Sequence, residues 1–170
     1  MSAIRTPDVL ARFVSTTLTF EDLARFAGEE LGSASDPYAV IGLTISKAIV
    51  NADAGLNSSS RGVALKSTRL PAETSLDEID LRFTRPQRGF GFYYRTSHAA
   101  SLMVTAFDGN KTVLEENVFG AGEGYAGIIR ARADIRIVTI LARIESADSA
   151  ENSCFYIDDL TFGTELKAGY

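Results

Sequence analysis

The sequence predicts one all-β sandwich domain. Short runs rich in β-branched and aromatic residues, separated by Gly, Asn, Asp, Ser and Pro, fill the chain from Thr17 onward. Its 170 residues suit a single hydrophobic core. Apolar residues make up 45% and charged residues 23% of the chain, which is typical of a globular protein and unlike a disordered one. We therefore expect a sandwich over residues 17–163, an N-terminal arm over 1–16 and a fraying tail over 164–170.

The arm carries the one helical pattern. Pro7 begins a segment in which Val9, Leu10, Phe13 and Val14 share one apolar face. This spacing predicts a short helix over Pro7–Val14, which could serve as a docking arm.

Alternation of apolar and polar residues predicts the strands. The expected strands, in chain order, are Leu18–Phe20, Ala39–Ser46, Gly62–Leu65, Leu76–Phe83, Gly89–Tyr94, Leu102–Phe107, Thr112–Val118, Tyr125–Ile129, Ile135–Ile144 and Cys154–Phe162. Asp108-Gly109 between two of them is a strong hairpin signal. A second hairpin is expected around the turn that contains Pro86.

Composition and motifs restrict the function. A net charge of −5 with scattered Lys and Arg argues against nucleic-acid binding. No apolar run is long enough to span a membrane. The one cysteine, Cys154, excludes an internal disulfide, and the one histidine, His98, stands in a predicted strand connection. Nucleophile-elbow, zinc-protease and phosphate-loop motifs are absent, so no enzyme is predicted.

Carboxylates are the strongest candidate site residues. Glu21 and Asp22 close the first strand, and Asp158 and Asp159 interrupt the apolar last strand. Ionised carboxylates avoid such positions unless they are paired or bound to metal. If the first and last strands pair, Glu21 approaches Asp158, and the oxygens suit calcium. Capping of loop amides or pairing with an arginine is the simpler alternative.

The same segments resemble a known family. Leu18–Leu23, Ile41–Ile45, Gly89–Tyr94, Val104–Gly109 and Phe155–Phe162 follow the order seen in galactose-binding-like jelly-roll domains. The likeness is to those of bacterial exported proteins and carbohydrate-binding modules, and it covers residues 17–163. It implies a jelly roll with a structural calcium held by Glu21 and Asp158, and with Asp22 and Asp159 as further ligands. No signal-peptide pattern is visible, so the cell surface is expected only if a signal was removed, and otherwise the cytoplasm or a particle.

Two functions remain open. The first is a non-catalytic module in which Tyr93 and Tyr125 stack on a glycan while Asn57 and Asn110 bond to it. The second is a structural component of a surface layer, appendage or particle that works through protein contacts. Calcium-dependent stability and concentration-dependent association separate the two hypotheses.

Overall fold

A computed structural model describes residues 3–32, 36–52, 62–69, 77–96, 100–144 and 154–169 of the chain. Within these residues it contains β1 (Ala3–Ile4), β2 (Phe13–Leu18), β3 (Glu30–Leu31), β4 (Leu43–Ser46), β5 (Ala48–Asn51), β6 (Ala64–Arg69), β7 (Asp77–Gln87), β8 (Gly89–Thr96), β9 (Ala100–Phe107), β10 (Val113–Phe119), β11 (Glu123–Ile129), β12 (Ile135–Ile144) and β13 (Phe155–Leu166). Short 3₁₀ helices cover Pro7–Arg12, Glu21–Phe26 and Ala39–Ile41.

The strands form two antiparallel sheets. The eight-stranded sheet runs β1-β11-β8-β13, and the far edge of β13 pairs with β2 and with β6, which leads to β5 and β3. The five-stranded sheet runs β4-β7-β12-β9-β10. The end of β6 also pairs with β7, so the two sheets join at one corner. The predicted jelly-roll β-sandwich is confirmed.

The main core lies between the sheets. Alternate residues of each strand point inward, including Phe90 and Phe92 from β8 and Val104 and Ile140 from the opposite sheet, and all four are fully buried. A smaller apolar cluster covers the other side of the eight-stranded sheet. It contains Ile4, Leu10, Phe13 and Tyr125, so the N-terminal residues pack against the sandwich.

The predicted helix over Pro7–Val14 is too long. The 3₁₀ helix ends at Arg12, and the chain then enters β2, which pairs with β13 through Leu18 opposite Leu160. β-branched residues dominate Val14–Thr17, and a ladder against the last strand satisfies their backbone groups. The last strand likewise extends to Leu166, beyond the expected start of the tail.

One hairpin prediction is confirmed, and two other strand predictions are wrong. The Asp108 hairpin is confirmed as β9–β10. The prediction of a hairpin around Pro86 is wrong. Strand β7 runs through Pro86 to Gln87, and β8 then pairs with β11 and β13 in the other sheet instead of with β7. Ala39–Ile41 is a 3₁₀ helix, and the left-handed Gly42 (φ 80°) separates it from β4. An added Cβ on Gly42 would collide with the Thr84 hydroxyl, so glycine is required there.

Candidate functional site

Tyr93 and Tyr125 meet on the outer face of the eight-stranded sheet. They are direct cross-strand partners in β8 and β11. Their ring centroids lie 5.1 Å apart at an interplanar angle of 78°, an edge-to-face contact. Tyr125 is buried at 6% exposure, whereas Tyr93 is half-buried. Tyr125 therefore supports the ring of Tyr93, which keeps one part in contact with solvent.

Two glycines make room for tyrosine rings on the two faces of this sheet. A Cβ added to Gly91 would lie 2.5–2.8 Å from the hydroxyl and ring atoms of Tyr125. A Cβ on Gly124 would lie 3.0–3.2 Å from those of Tyr94. Side chains are excluded at both positions. Gly91 leaves room for Tyr125 on the outer face, whereas Gly124 leaves room for Tyr94, which belongs to the main core on the inner face.

The N-terminal segment lies beside the Tyr93–Tyr125 pair. The resulting cavity of about 240 Å³, the tyrosine pocket, is lined by Arg5, Thr6, Pro7, Tyr93, Tyr94, Glu123, Gly124 and Tyr125. The guanidinium of Arg5 stacks 5.0 Å above the Phe119 ring and donates a hydrogen bond of 3.4 Å to the Val118 carbonyl. These contacts hold Arg5 at the rim.

Two opposite charges, from Arg5 and Glu123, give the pocket its polarity, and its buried phenols are neutral. Burial raises the pKa of Tyr94 and of Tyr125, so both phenols are protonated at neutral pH. The Tyr94 hydroxyl donates to the Gly120 carbonyl at 2.8 Å. Glu123 lies 3.6 Å from Arg95. The pocket thus offers an aromatic ring, one guanidinium and one carboxylate, whereas the Tyr125 hydroxyl is buried and the Tyr94 proton is already donated.

Asn110, one of the two asparagines predicted to bind ligand, does not join the tyrosine pocket. Asn110 is exposed in the β9–β10 turn, where its backbone N–H donates to Asp108 Oδ1 at 2.8 Å. This turn belongs to the five-stranded sheet. Asn57 and His98 lie outside the described residues.

Asp158 and Asp159 lie beside the pocket in β13. A β-bulge separates Asp158, opposite Tyr93, from Thr161, opposite Gly91. Asp159 adopts a left-handed backbone (φ 48°), and its N–H donates to Asp158 Oδ1 at 2.8 Å. Both carboxylates are buried, at 2% and 4% exposure. The negative charge of Asp159 adds to the effect of burial on the Tyr125 pKa, which places this carboxylate near the phenol.

Glu21 and Asp22 begin the second 3₁₀ helix rather than ending a strand. Asp22 Oδ1 accepts a hydrogen bond of 2.8 Å from the Tyr38 hydroxyl, whose pKa is raised by burial and by this carboxylate. Leu18 lies opposite Leu160, so the strand pairing that was expected to bring Glu21 toward Asp158 is present. Among the described residues, however, no three His, Cys, Asp or Glu side chains are placed to hold a metal ion together.

Sequence reasoning missed a second patterned surface, on the outer face of the five-stranded sheet. Cross-strand pairing aligns one polar residue from each strand into a polar row: Ser46, Asp80, Thr139, Thr105 and Glu116. Thr139 donates to Asp80 at 3.1 Å and Thr105 to Glu116 at 3.1 Å. Lys47 bridges Asp80 (2.9 Å) and Glu78 (3.0 Å).

Half-buried Ile137 and Phe107 flank this row on one side, and Leu141 and Met103 on the other. The signal in the sequence is one threonine inside an otherwise apolar stretch of each strand, Thr105 in β9 and Thr139 in β12. Its meaning depends on a register that only the folded sheet supplies.

Comparison with known proteins gives the fold and no closer relationship. No protein-family model matches the chain, and no curated protein matches it. The K2 cleaved adhesin domain of Lys-gingipain superposes with a TM-score of 0.52 at 12% identity, over 89% of this chain and 100% of that one. This similarity shows the β-sandwich fold alone.

Similarity to two carbohydrate-binding modules is weaker. A family 29 module gives a TM-score of 0.49 at 8% identity, over 89% of this chain and 92% of that one. A family 61 module solved with β-1,4-galactotriose gives 0.46 at 10% identity, over 87% and 97%. In the part of the chain that is described, no helix has the length and hydropathy to cross a bilayer.

Proposed function

We propose that this chain is a non-catalytic glycan-binding module and that the glycan occupies the tyrosine pocket. The observation that supports this is the pair Tyr93–Tyr125 beneath a cavity of about 240 Å³ with charged groups at its rim. Sugars present C–H groups on one face and hydroxyls at the edge. An aromatic ring with a few polar anchors matches both features.

Each side chain has a distinct role in this proposal. The exposed part of Tyr93 packs against a sugar face, and Tyr125 keeps that ring from rotating away. Arg5 donates to sugar oxygens, and Glu123 accepts from sugar hydroxyls. Hydrogen bonds that involve a guanidinium or a carboxylate are stronger than those between neutral groups.

The carboxylate arrangement favours binding over hydrolysis. Glycoside hydrolysis ordinarily uses two carboxyl groups on either side of the scissile bond. Glu123 is the carboxylate that lines the tyrosine pocket, and it lies 3.6 Å from Arg95. Asp158 and Asp159 lie beside the pocket but are buried, so Glu123 is the one carboxylate of the described residues that lines it, and its place beside an arginine supports recognition of hydroxyls.

A glycan array tests the proposal with three proteins: the parent, Tyr93→Ala and the matched control Phe107→Ala, which removes a half-buried ring from the other sheet. We expect the parent and the control to bind the same glycans and Tyr93→Ala to lose them. Stacking on one aromatic ring contributes roughly 0.5–1.5 kcal/mol beyond buried area, so this contribution alone lowers the affinity roughly 2- to 13-fold. Retained binding by Tyr93→Ala with loss in Phe107→Ala would move the site to the polar row.

A structural calcium is a second, separable proposal. It is supported by the burial of Asp158 and Asp159 at a left-handed bulge, since buried carboxylates are stabilised by partners that include cations. Calcium also accepts carbonyl oxygens, which would complete a site that side chains alone do not fill. We expect a higher melting temperature in calcium than in chelator and no difference for Asp158→Asn. An equal response of the parent and of that variant contradicts the assignment.

One observation favours the alternative of an assembly component. Val40 is 93% exposed and its neighbour Ile41 is 46% exposed on the 3₁₀ helix before β4. Adjacent exposed apolar residues are typical of contact surfaces. Sedimentation across a concentration series would show association if this surface mediates assembly, and Val40→Asp would abolish it.

A further inference from the structure

A second cavity on the same sheet face combines apolar walls with positive charge. It lies where the first 3₁₀ helix and the end of β13 meet the end of β11, and its volume is about 390 Å³. Val9, Phe13, Ile129 and Leu166 supply the apolar walls. Arg12 and Arg88 also line it, and we call this site the arginine cavity.

Arg88 is held in place by protein contacts. Its Nε donates to the Arg130 carbonyl at 3.1 Å, and its guanidinium lies 5.7 Å above the Phe13 ring. One of its five N–H donors is used by that bond, so the terminal amino groups keep their capacity for a planar acceptor. A guanidinium fixed before binding loses little entropy when it pairs with a carboxylate.

A third arginine, Arg130, also lines the arginine cavity, and it differs from Arg12 and Arg88 because carboxylates neutralise its charge. Arg130 is neutralised by Asp134 at 3.1 Å and by Glu115 at 3.6 Å. Arg12 and Arg88 form no ion pair with any carboxylate of the described residues. Within the described part of the chain, the arginine cavity therefore carries two positive charges without an ion-pair partner, in a protein whose net charge is −5.

We propose that the arginine cavity binds a small aliphatic carboxylate. The carboxylate pairs with Arg88 and Arg12, and the aliphatic part packs against Val9, Ile129 and Leu166. Charge complementarity selects an anion, and the apolar walls select a hydrocarbon body over a strongly hydrated inorganic anion. This site is separate from the tyrosine pocket, so the inference does not depend on glycan binding.

Titration of the ¹⁵N-labelled chain by nuclear magnetic resonance tests this with three probes. Hexanoate carries both parts of the proposed ligand, acetate carries only the charge and 1-hexanol only the tail. We expect hexanoate to shift the amides of Arg88, Ile129 and Leu166 in a saturable manner, and the other two probes to bind more weakly. Absence of saturable shifts with hexanoate overturns the proposal, and so does equal binding of 1-hexanol.

Substitutions then separate charge from packing. Arg88→Gln should weaken hexanoate binding roughly 10- to 100-fold, as expected when a charged hydrogen-bonding partner is lost. Arg12→Gln changes an exposed side chain, so its smaller loss of affinity is measured without risk to the fold. Arg143→Gln, exposed on the other sheet, serves as the matched control and should bind as the parent does. Parent-like affinity in both Arg88→Gln and Arg12→Gln refutes the assignment.

Discussion

Gly91→Ala should destabilise the protein by crowding Tyr125. The new Cβ would lie 2.5 Å from the phenol oxygen, 2.7 Å from Cε1 and 2.8 Å from Cζ. The ring is buried and packed against Tyr93, so it has little room to withdraw. Inserting one methyl into a packed region usually costs about 1–3 kcal/mol. For a chain of this length, that lowers the melting temperature by roughly 3–9 °C.

The assay is urea unfolding followed by circular dichroism, in the parent background and in Tyr125→Ala. Removing the ring removes the obstacle, so Gly91→Ala should cost less than about 0.5 kcal/mol in the second background, the usual range for an uncrowded substitution. Gly120→Ala is the matched control, because an added Cβ there meets no atom within 4 Å. A loss that is equal with and without the Tyr125 ring would refute the packing argument.

Two further predictions concern a turn and an ion pair. Asp108→Ala should lower the free energy of unfolding, measured in urea, by about 1–3 kcal/mol. The reason is that Asp108 Oδ1 accepts hydrogen bonds from the backbone N–H groups of Asn110 (2.8 Å) and Thr112 (2.9 Å). The control Asn110→Ala changes an exposed side chain and should cost little. The Arg130 guanidinium lowers the pKa of Asp134 in the folded state below the value of about 3.9 that an unfolded aspartate has. The pair therefore stabilises the fold above that unfolded pKa, and its contribution is lost as the pH falls through the lower pKa of the folded state. Asp134→Asn should flatten the acid limb of stability against pH, and an unchanged limb would contradict the assignment.

Local signals in the sequence predicted much of the fold. The β9–β10 hairpin is one example, because the Asp108 side chain bonds the turn's own backbone. The alternation of Phe90 and Phe92 with small residues likewise placed β8 correctly. Such features are set by residues a few positions apart, which makes them visible without a structure.

Long-range contacts were not visible in the same way. Apolar residues in Val9–Val14 satisfied a helical pattern, and only the final strand, almost the whole chain away, draws Phe13–Leu18 into a ladder. Ala39–Ile41 had strand-forming composition, but Gly42 and the hydroxyl of Thr84 fix a turn there. In both cases tertiary packing outweighed local preference.

The candidate site was predicted in part for the same reason. The aromatic side chains of Tyr93 and Tyr125 indicate stacking residues, and the β8–β11 register joins them in one contact. Arg5 could not be foreseen, because its position depends on the N-terminal segment folding back over the sheet. Glu123 was hidden in a glycine-rich stretch whose second half is the start of β11.

The most direct test of glycan binding at the tyrosine pocket is a titration of ¹⁵N-labelled protein with neutral monosaccharides, followed by nuclear magnetic resonance. We expect saturable shifts for at least one sugar at the amides of Arg5, Tyr93 and Gly124, and their loss in Tyr93→Ala. Shifts confined to the polar row, or no saturable shift with glucose, galactose, mannose or N-acetylglucosamine, would contradict the proposed site.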